Sequence, residues 1–476
     1  MEKPDILVFM SDQHNAMICG YAGDKIIRTP NMDDLARCGT VFDAAYTSFP
    51  LCVPARISFM TGQLAHRNGF IDNAGAIPED QATFIHSVAA EGYETVLCGR
   101  MHFLGADQRH GFTKRFVGDI TPQYWGTFDK ADWGCYHRTN NDRYFDTVGG
   151  GDSPVLAYDR SVITAAVDYL SKDHDKPQCV VVGTYGPHST YVAPPDLYSE
   201  YLNITPQLAA TDQSIDYDMS IYKNRREKIP DDLLNKVRAA YYGMITTIDS
   251  QLGEVRRAWD AYLKRQNRKG IFVYLSDHGD QIGERYLFNK VTFFDGSAKI
   301  PLIFAGDGIK AGVRIKQPVS LLDISPTVCQ ITGAELPPEQ DGIGLAAALF
   351  DGHEDPKRYV ISESRTLGNE RMCLGRMIRQ GKWKYITYSS LEKYDLLFDM
   401  EKDPYELHNC IKEEPAIAAD LYKKITDGWD IDSINKIVQN KIKHHKLLAR
   451  WGMAANVEEE ERYVIPESAL KPPVVQ

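Results

Sequence analysis

Two stretches of this chain are apolar or aromatic at every position and end alike. Residues 6–10, ILVFM, run into Ser11-Asp12-Gln13-His14, and residues 271–275, IFVYL, run into Ser276-Asp277-His278-Gly279-Asp280. A strand without polar alternation has to be covered on both faces, which is the position of a central strand in a parallel sheet with helices on either side. Shorter runs rich in β-branched residues at 95–97, 179–183 and 301–304 alternate with helical patterns. The alternation predicts an α/β fold with a mostly parallel central sheet flanked by helices. Residues 230–266 repeat apolar positions at three and four and break before Gly270, so they read as one long amphipathic helix feeding the second apolar run.

The character changes after about Gly352. RMCLGRMIRQGKWKYITY reads as a hairpin turning at Gln380-Gly381, followed by the strand-like YDLLFDM and the turn Asp403-Pro404. The expected division is an α/β domain over residues 1–355, a C-terminal subdomain with an antiparallel sheet and a final helix over 356–450, and an extended tail over 451–476. That tail is charged and then Pro-rich, a composition that favours loose attachment, or docking on a second copy in a homo-oligomer. Residues 191–226 are rich in tyrosine and proline without clear periodicity and read as a long loop near the cleft mouth. Their tyrosines suit stacking on a sugar or aromatic ring as well as they suit packing.

Of 476 residues, 54 are Lys or Arg and 65 are Asp or Glu, a net charge of −11 that argues against binding nucleic acid through its phosphates. No stretch approaches the ~18 apolar residues that cross a bilayer. The five-residue apolar run near the start is shorter than the roughly 7–15 residues of a signal-peptide core, so the expectation is a cytoplasmic protein with no membrane partner. The nine cysteines are scattered without any CxxC pair, which argues against a disulfide scaffold and for small buried hydrophobes. Cys52 is the exception.

In doubly wound sheets ligands collect at the carboxyl ends of the strands, so Asp12-Gln13 and Asp277-His278 would meet if their strands are neighbours. Two carboxylates, an amide oxygen and one imidazole make a hard, oxygen-rich site suited to calcium, magnesium or manganese. On spacing alone the two aspartates serve equally well as caps of turns or helices. A third element is Ser48-Phe49-Pro50-Leu51-Cys52-Val53-Pro54-Ala55-Arg56, leading into ISFMTG. Pro54 at the first helical position would put Cys52 just before a helix N-terminus, with Arg56 one short turn on. A nucleophile, a cation and a helix start then share one place.

Cys52-Val53-Pro54-Ala55-Arg56 with Thr61-Gly62 resembles the signature of the sulfatases, in the alkaline phosphatase superfamily, whose cysteine is converted to formylglycine after translation. Other pieces agree in order along the chain: Ser11-Asp12-Gln13, Gly99-Arg100-Met101-His102-Phe103-Leu104-Gly105, Gly186-Pro187-His188, Asp277-His278-Gly279-Asp280 and Lys290. MHFLGADQRHGF, DNAG and FFDGSAKIPLIF are similar in particular to the branch of choline sulfatases and phosphonate monoester hydrolases. The resemblance implies that Asp12, Gln13, Asp277, His278 and the modified Cys52 bind one divalent metal, calcium first and magnesium or manganese as alternatives. It implies that Arg56 stabilises the hydrated aldehyde and that His102, His188 and Lys290 hold sulfate oxygens or assist the leaving group. Arg100 stands where the family usually has lysine, so a planar fork replaces a compact ammonium. The implied reaction is hydrolysis of an organic sulfate ester of a carbohydrate, choline or an aryl alcohol, with phosphonate monoesters or phosphodiesters as the alternative substrates. The implied partner is a formylglycine-generating or anaerobic sulfatase-maturing enzyme. His14, His66, His86 and His110 receive no catalytic role.

The chemistry explains the residue set. Cleaving a sulfate ester loads charge onto equatorial oxygens and a departing alkoxide, which calls for a metal and several cations. Arg56, Arg100, His102, His188 and Lys290 supply that positive field. An aldehyde hydrate offers two hydroxyls on one carbon, so attack on sulfur and later release of sulfate can use different oxygens, which a bare thiol cannot do.

Overall fold

The structure, a computed structural model, describes residues 3–121, 145, 147–203, 214–368, 371–389, 391–455 and 467–475. Its centre is an eight-stranded sheet built from β1 (Asp5–Asp12), β2 (Thr40–Phe42), β3 (Glu94–Gly99), β4 (Lys114–Phe116), β5 (Gln178–Pro187), β6 (Gly270–Ser276), β7 (Leu302–Gly306) and β8 (Val313–Ile315). The spatial order is β8-β2-β7-β6-β1-β5-β3-β4, and only β7 runs against its neighbours. The fold is therefore α/β with a mostly parallel sheet, as the apolar runs required.

The two faces of β1 show why those runs lack alternation. Ile6, Val8 and Met10 enter one buried apolar cluster while Leu7 and Phe9 enter the other, so every position is interior. Helix α1 (Cys52–Thr61) packs on the first side, and α2 (Pro154–Leu170) and α3 (Asp231–Gln266) pack on the second. The long helix predicted for 230–266 is α3. Its apolar stripe, including Met244, Ile248, Leu252, Val255 and Trp259, is the face that seals the sheet.

A second sheet consists of β9 (Tyr359–Gly368), β10 (Arg371–Gln380), β11 (Trp383–Tyr388) and β12 (Leu396–Asp399), all antiparallel, with the β10–β11 turn at the expected place. Helices α4 (Pro415–Thr426) and α5 (Ile431–Ala455) follow it. Helix α5 continues to Ala455, so residues 451–455 belong to a helix and not to the expected extended tail. Farther on, Val474–Val475 pairs antiparallel with Gly149–Asp152 of the same chain, and Ala469 is buried. Residues 191–226 also differ from a plain loop, because Pro195–Leu202 is helical, with proline at its start and Asp196 in its first turn. Residues 204–213 of that stretch lie outside the described residues.

Seven cysteines are buried, Cys38 is half-buried, and no disulfide joins the described ones; Cys135 lies outside them. No helix among the described residues is long and apolar enough to cross a membrane.

Candidate active site

The register of the central sheet assembles the site. Ser11 of β1 lies opposite Ser276 of β6, so Asp12 and Asp277 emerge at the same level, and Asp12 pairs with Pro187 of β5, immediately before His188. On the far side of β5, Gly99 lies opposite Gly183 and the Arg100 N–H donates to the Gly183 carbonyl at 2.8 Å. A Cβ on Gly183 would meet the Arg100 carbonyl oxygen at 1.9 Å, so only glycine lets β3 deliver Arg100 and His102 here. Four adjacent strand ends thus carry Asp277-His278, Asp12-Gln13, His188 and Arg100-His102.

Helix α1 supplies the rest from one face of the sheet. It begins at Cys52 itself with Leu51 as its cap, so Pro54 is the third helical residue and not the first as the sequence suggested. That placement removes no helical hydrogen bond, since the first N–H groups have no partner within the helix. The Val53 N–H donates instead to Asn73 Oδ1 at 3.0 Å. Arg56, one turn on, is completely enclosed. Its Nε donates to Asp277 Oδ2 at 2.8 Å, its Nη2 to Asp12 Oδ2 at 3.1 Å and its Nη1 to the Arg100 carbonyl at 3.2 Å.

The ligand atoms of Asp12, Cys52, Asp277 and His278 lie within 4.8 Å of one another, all buried. Asp12 divides its carboxylate: Oδ2 accepts from Arg56 and, at 2.6 Å, from Arg100 Nε, while Oδ1 faces the Cys52 sulfur at 3.7 Å. His278 Nδ1 lies 2.9 Å from the Gly279 carbonyl oxygen and must donate to it, so the Nε2 lone pair points at the cluster, 3.3 Å from the sulfur. Lys290 Nζ donates to the sulfur at 3.1 Å and also to Gln13 Oε1. The side chain of Gln13 is fixed by its Nε2, which donates to Asp280 Oδ2 at 2.8 Å and Asn289 Oδ1 at 3.1 Å.

The two remaining histidines take opposite tautomers. His188 Nδ1 donates to the Ser189 carbonyl at 2.7 Å, which leaves Nε2 as an acceptor, and the ring hydrogen-bonds Cys52. His102 Nδ1 accepts from Arg100 Nη2 at 2.8 Å, which puts the ring proton on Nε2. Burial lowers the pKa of both rings, with Lys290 adding to the effect at His188 and Arg100 at His102, so both are neutral near neutral pH. Burial alone would raise the pKa of Asp12, but Arg100 and Arg56 hold its carboxyl well below the usual range. Burial would likewise discharge Lys290, yet the Cys52 sulfur, Asp12 and Asp277 raise its pKa and keep it charged.

The Arg100 fork holds Asp12, Asp119 at 2.8 Å, Thr121 at 3.2 Å and His102, and its plane lies 3.9 Å above the Tyr185 ring. Several side chains that support the cluster carried no local sequence signal. Asp119 fixes Arg100 and accepts the His102 N–H at 3.1 Å, and Asp159 accepts the N–H groups of Tyr185 and Gly186 at 2.6 and 2.8 Å. Tyr241 of α3 donates to the Gln13 carbonyl at 2.7 Å and accepts from Asn15 N at 2.9 Å. Gln13, His102, Asn289 and Val291 all have left-handed backbone, with φ of 71°, 56°, 63° and 73°. Strain of this kind persists where surrounding structure over-determines it, and here it brackets the cluster.

His14, His66, His86 and His110 have other partners: Tyr274, Glu363, Thr83 and Asp107 respectively. Tyr191, Tyr201 and Tyr222 turn inward, donating to Asp280 or pairing with Thr246 and Tyr388, so of the two uses expected for these tyrosines packing is the one these three serve.

Comparison with known proteins decides the family. Residues 4–334 match the family described as Sulfatase, and residues 283–429 match N-sulphoglucosamine sulphohydrolase, C-terminal. The chain belongs to the sulfatase family. It is 34% identical over 444 residues to the choline-sulfatase of Rhizobium meliloti (strain 1021), covering 87% of this chain and 83% of that protein. Among solved structures, a 2-O GAG sulfatase superposes with a TM-score of 0.70 at 25% identity, covering 91% and 93% of the two chains. The phosphonate monoester hydrolase of Agrobacterium radiobacter gives 0.71 at 19% identity, covering 89% and 95%, a likeness of fold. This sulfatase is accordingly a hydrolase of sulfuric esters.

Proposed function

We propose that this sulfatase cleaves its ester with an oxygen nucleophile at position 52, after conversion of Cys52 to formylglycine by a maturing enzyme, beside one divalent cation held by Asp12, Gln13, Asp277 and His278. The observation that carries this reading is the fully buried cluster of Asp12, Cys52, Asp277 and His278, with Lys290 and His188 both on the sulfur. Two carboxylates, an amide oxygen and one neutral imidazole fit calcium best, with magnesium and manganese next. When bound, the cation supplies Lewis-acid stabilisation of charge and the modified residue supplies a hydrated aldehyde, whose second hydroxyl allows sulfate to leave without attack by water.

The chain's own residues do the rest. Arg56 ties down one oxygen of each aspartate and leaves Asp12 Oδ1 turned toward position 52. Lys290 keeps its charge beside the nucleophile, where the equatorial sulfate oxygens gather negative charge. His188 presents an acceptor nitrogen to position 52 and can take the proton of an attacking hydroxyl. His102 presents Nε2–H and can donate to the departing alkoxide, while Arg100 and Asp119 act as its positioning residues.

The substrate is a sulfate ester of a carbohydrate or of a small alcohol such as choline or a phenol. The test is a paired rate measurement on matured, calcium-loaded protein with 4-nitrophenyl sulfate and a 4-nitrophenyl phosphonate. The sulfate should be preferred in kcat/KM by at least about tenfold. A preference for the phosphonate would replace this reading with a phosphonate monoester hydrolase using the same residues.

A further inference from the structure

Helix α5 is basic in an acidic chain. After Asp432 it carries Lys436, Lys441, Lys443, Lys446 and Arg450 and no Asp or Glu as far as Ala455, while the chain as a whole has a net charge of −11. At roughly 3.6 residues per turn, Lys436, Lys443 and Arg450 fall along one line of the helix with Lys446 beside it, a stripe about 21 Å long. All four are exposed. No described carboxylate forms an ion pair with Lys443, Lys446 or Arg450.

The opposite face of α5 is packed on the protein. Ile434 and Val438 are buried in a cluster with Phe49 and Leu374, and Leu51 and Ile442 close against it. Lys441 Nζ lies 3.5 Å from the centre of the Phe70 ring, and Lys441 and His445 are both within electrostatic reach of Asp72. Asp72 also pairs with Arg365 at 3.2 Å, and the next residue, Asn73, is the one that accepts the Val53 N–H. The second half of α5 therefore runs beside the loop that borders position 52, with its charged stripe turned to water. A helix lying in a membrane interface buries its apolar face in lipid, and here that face is already covered by protein. What remains exposed suits a polyanion: a row of cations, and near its end Trp451, 42% exposed, whose indole offers a flat surface to a sugar ring. A small monoester has no second anionic group to meet such a row, whereas a chain bearing several sulfates does.

We propose that the exposed basic face of α5 binds a sulfated carbohydrate chain, one of whose sulfate esters reaches position 52. Lys436, Lys443, Lys446 and Arg450 take the sulfates of neighbouring sugar units, and Trp451 lies against a ring. This narrows the substrate reading above to a polymer and rests on that reading for the ester that is cleaved. The probes are dextran sulfate, neutral dextran of the same length, and vesicles of equal parts phosphatidylserine and phosphatidylcholine, each titrated against the full chain. Dextran sulfate should bind saturably with an affinity that falls steeply as salt rises, and neutral dextran should not bind. Lys443→Gln combined with Arg450→Gln, both on the surface, should weaken dextran sulfate at least about tenfold and flatten the salt dependence, with kcat/KM on 4-nitrophenyl sulfate unchanged within about twofold. An affinity that the double variant keeps would overturn the proposal and leave the sulfatase reading intact, since the aryl sulfate is still cleaved. Vesicles that bind more tightly than dextran sulfate, and lose that affinity in the variant, would assign the face to a membrane instead. Binding is read without turnover, so a failure of the ester reading, seen in the paired rates on sulfate and phosphonate, is distinguishable from a failure here.

Discussion

Two of the buried ionic clusters among the described residues are built on opposite principles. Around Cys52, Arg56 and Arg100 reach two aspartates that still present oxygens to a shared centre, and Lys290 reaches the sulfur. Between the two sheets, Lys384 Nζ donates at 2.6 Å to both Asp295 Oδ1 and Glu406 Oε1, Tyr46 adds a bond to Asp295 at 3.0 Å, and Glu406 Oε2 accepts the Asp295 N–H at 2.9 Å. The second cluster is closed on itself: its groups satisfy one another and hold the C-terminal sheet to the α/β domain. Burial of charge therefore does not distinguish a site from a fastening. What distinguishes the first cluster is a nucleophile and ligand atoms that converge without completing one another.

Substitutions should separate the two clusters. The largest effect is expected from Cys52→Ala, which should lower kcat/KM by about 10³ or more while thermal unfolding stays within a few degrees of wild type. Retention of more than about a tenth of wild-type turnover would remove Cys52 from the chemistry. Asp277→Ala should come next, reducing activity by about 10² or more together with the bound divalent ion, because one of two carboxylates is lost. Elemental analysis with an unchanged metal content would contradict the ligand assignment.

Lys384→Met should do the reverse. It removes the cation that bridges Asp295 and Glu406 and leaves them Lys299 and Arg285, each at 3.9 Å, so denaturant unfolding should show a loss of about 3–5 kcal/mol while the folded fraction keeps its kcat. A large fall in kcat at unchanged stability would erase the contrast between the clusters. The smallest effect concerns Asp395, whose carboxylate meets the hydroxyls of Tyr385 and Thr387, and whose pKa burial raises from 3.8 to about 6. A raised carboxyl pKa means that the folded state holds the extra proton, so stability should fall as pH rises from about 4 to about 6. Asp395→Asn should flatten that slope, an effect of about 1 kcal/mol once partial exposure is allowed for. A slope unchanged in the variant would assign it to other groups.

The sheet was legible because a strand covered on both faces must be apolar throughout, and the shared Ser-Asp endings marked the two strand ends that lie side by side. The long helix α3 was equally plain, since its period persists over many turns. The supports of the site were not. Asp119, Tyr185 and Asp159 act through contacts set by the tertiary fold, and the left-handed backbone at Gln13, His102 and Val291 contradicts what those residue types prefer locally. Pro54 misled by two positions because proline is tolerated throughout the first helical turn. In residues 191–226 the tyrosines that face inward obscured the period of the short helix Pro195–Leu202.

The open cluster works as described only if position 52 carries an oxygen nucleophile. Peptide mass spectrometry of protein that is turning over a sulfate ester tests this directly, with sulfate release measured on the same sample. The peptide containing position 52 should be lighter than its cysteine form by the change from thiol to aldehyde, and the converted fraction should rise in proportion to specific activity across preparations. Full activity with an unmodified Cys52 thiol would contradict the account.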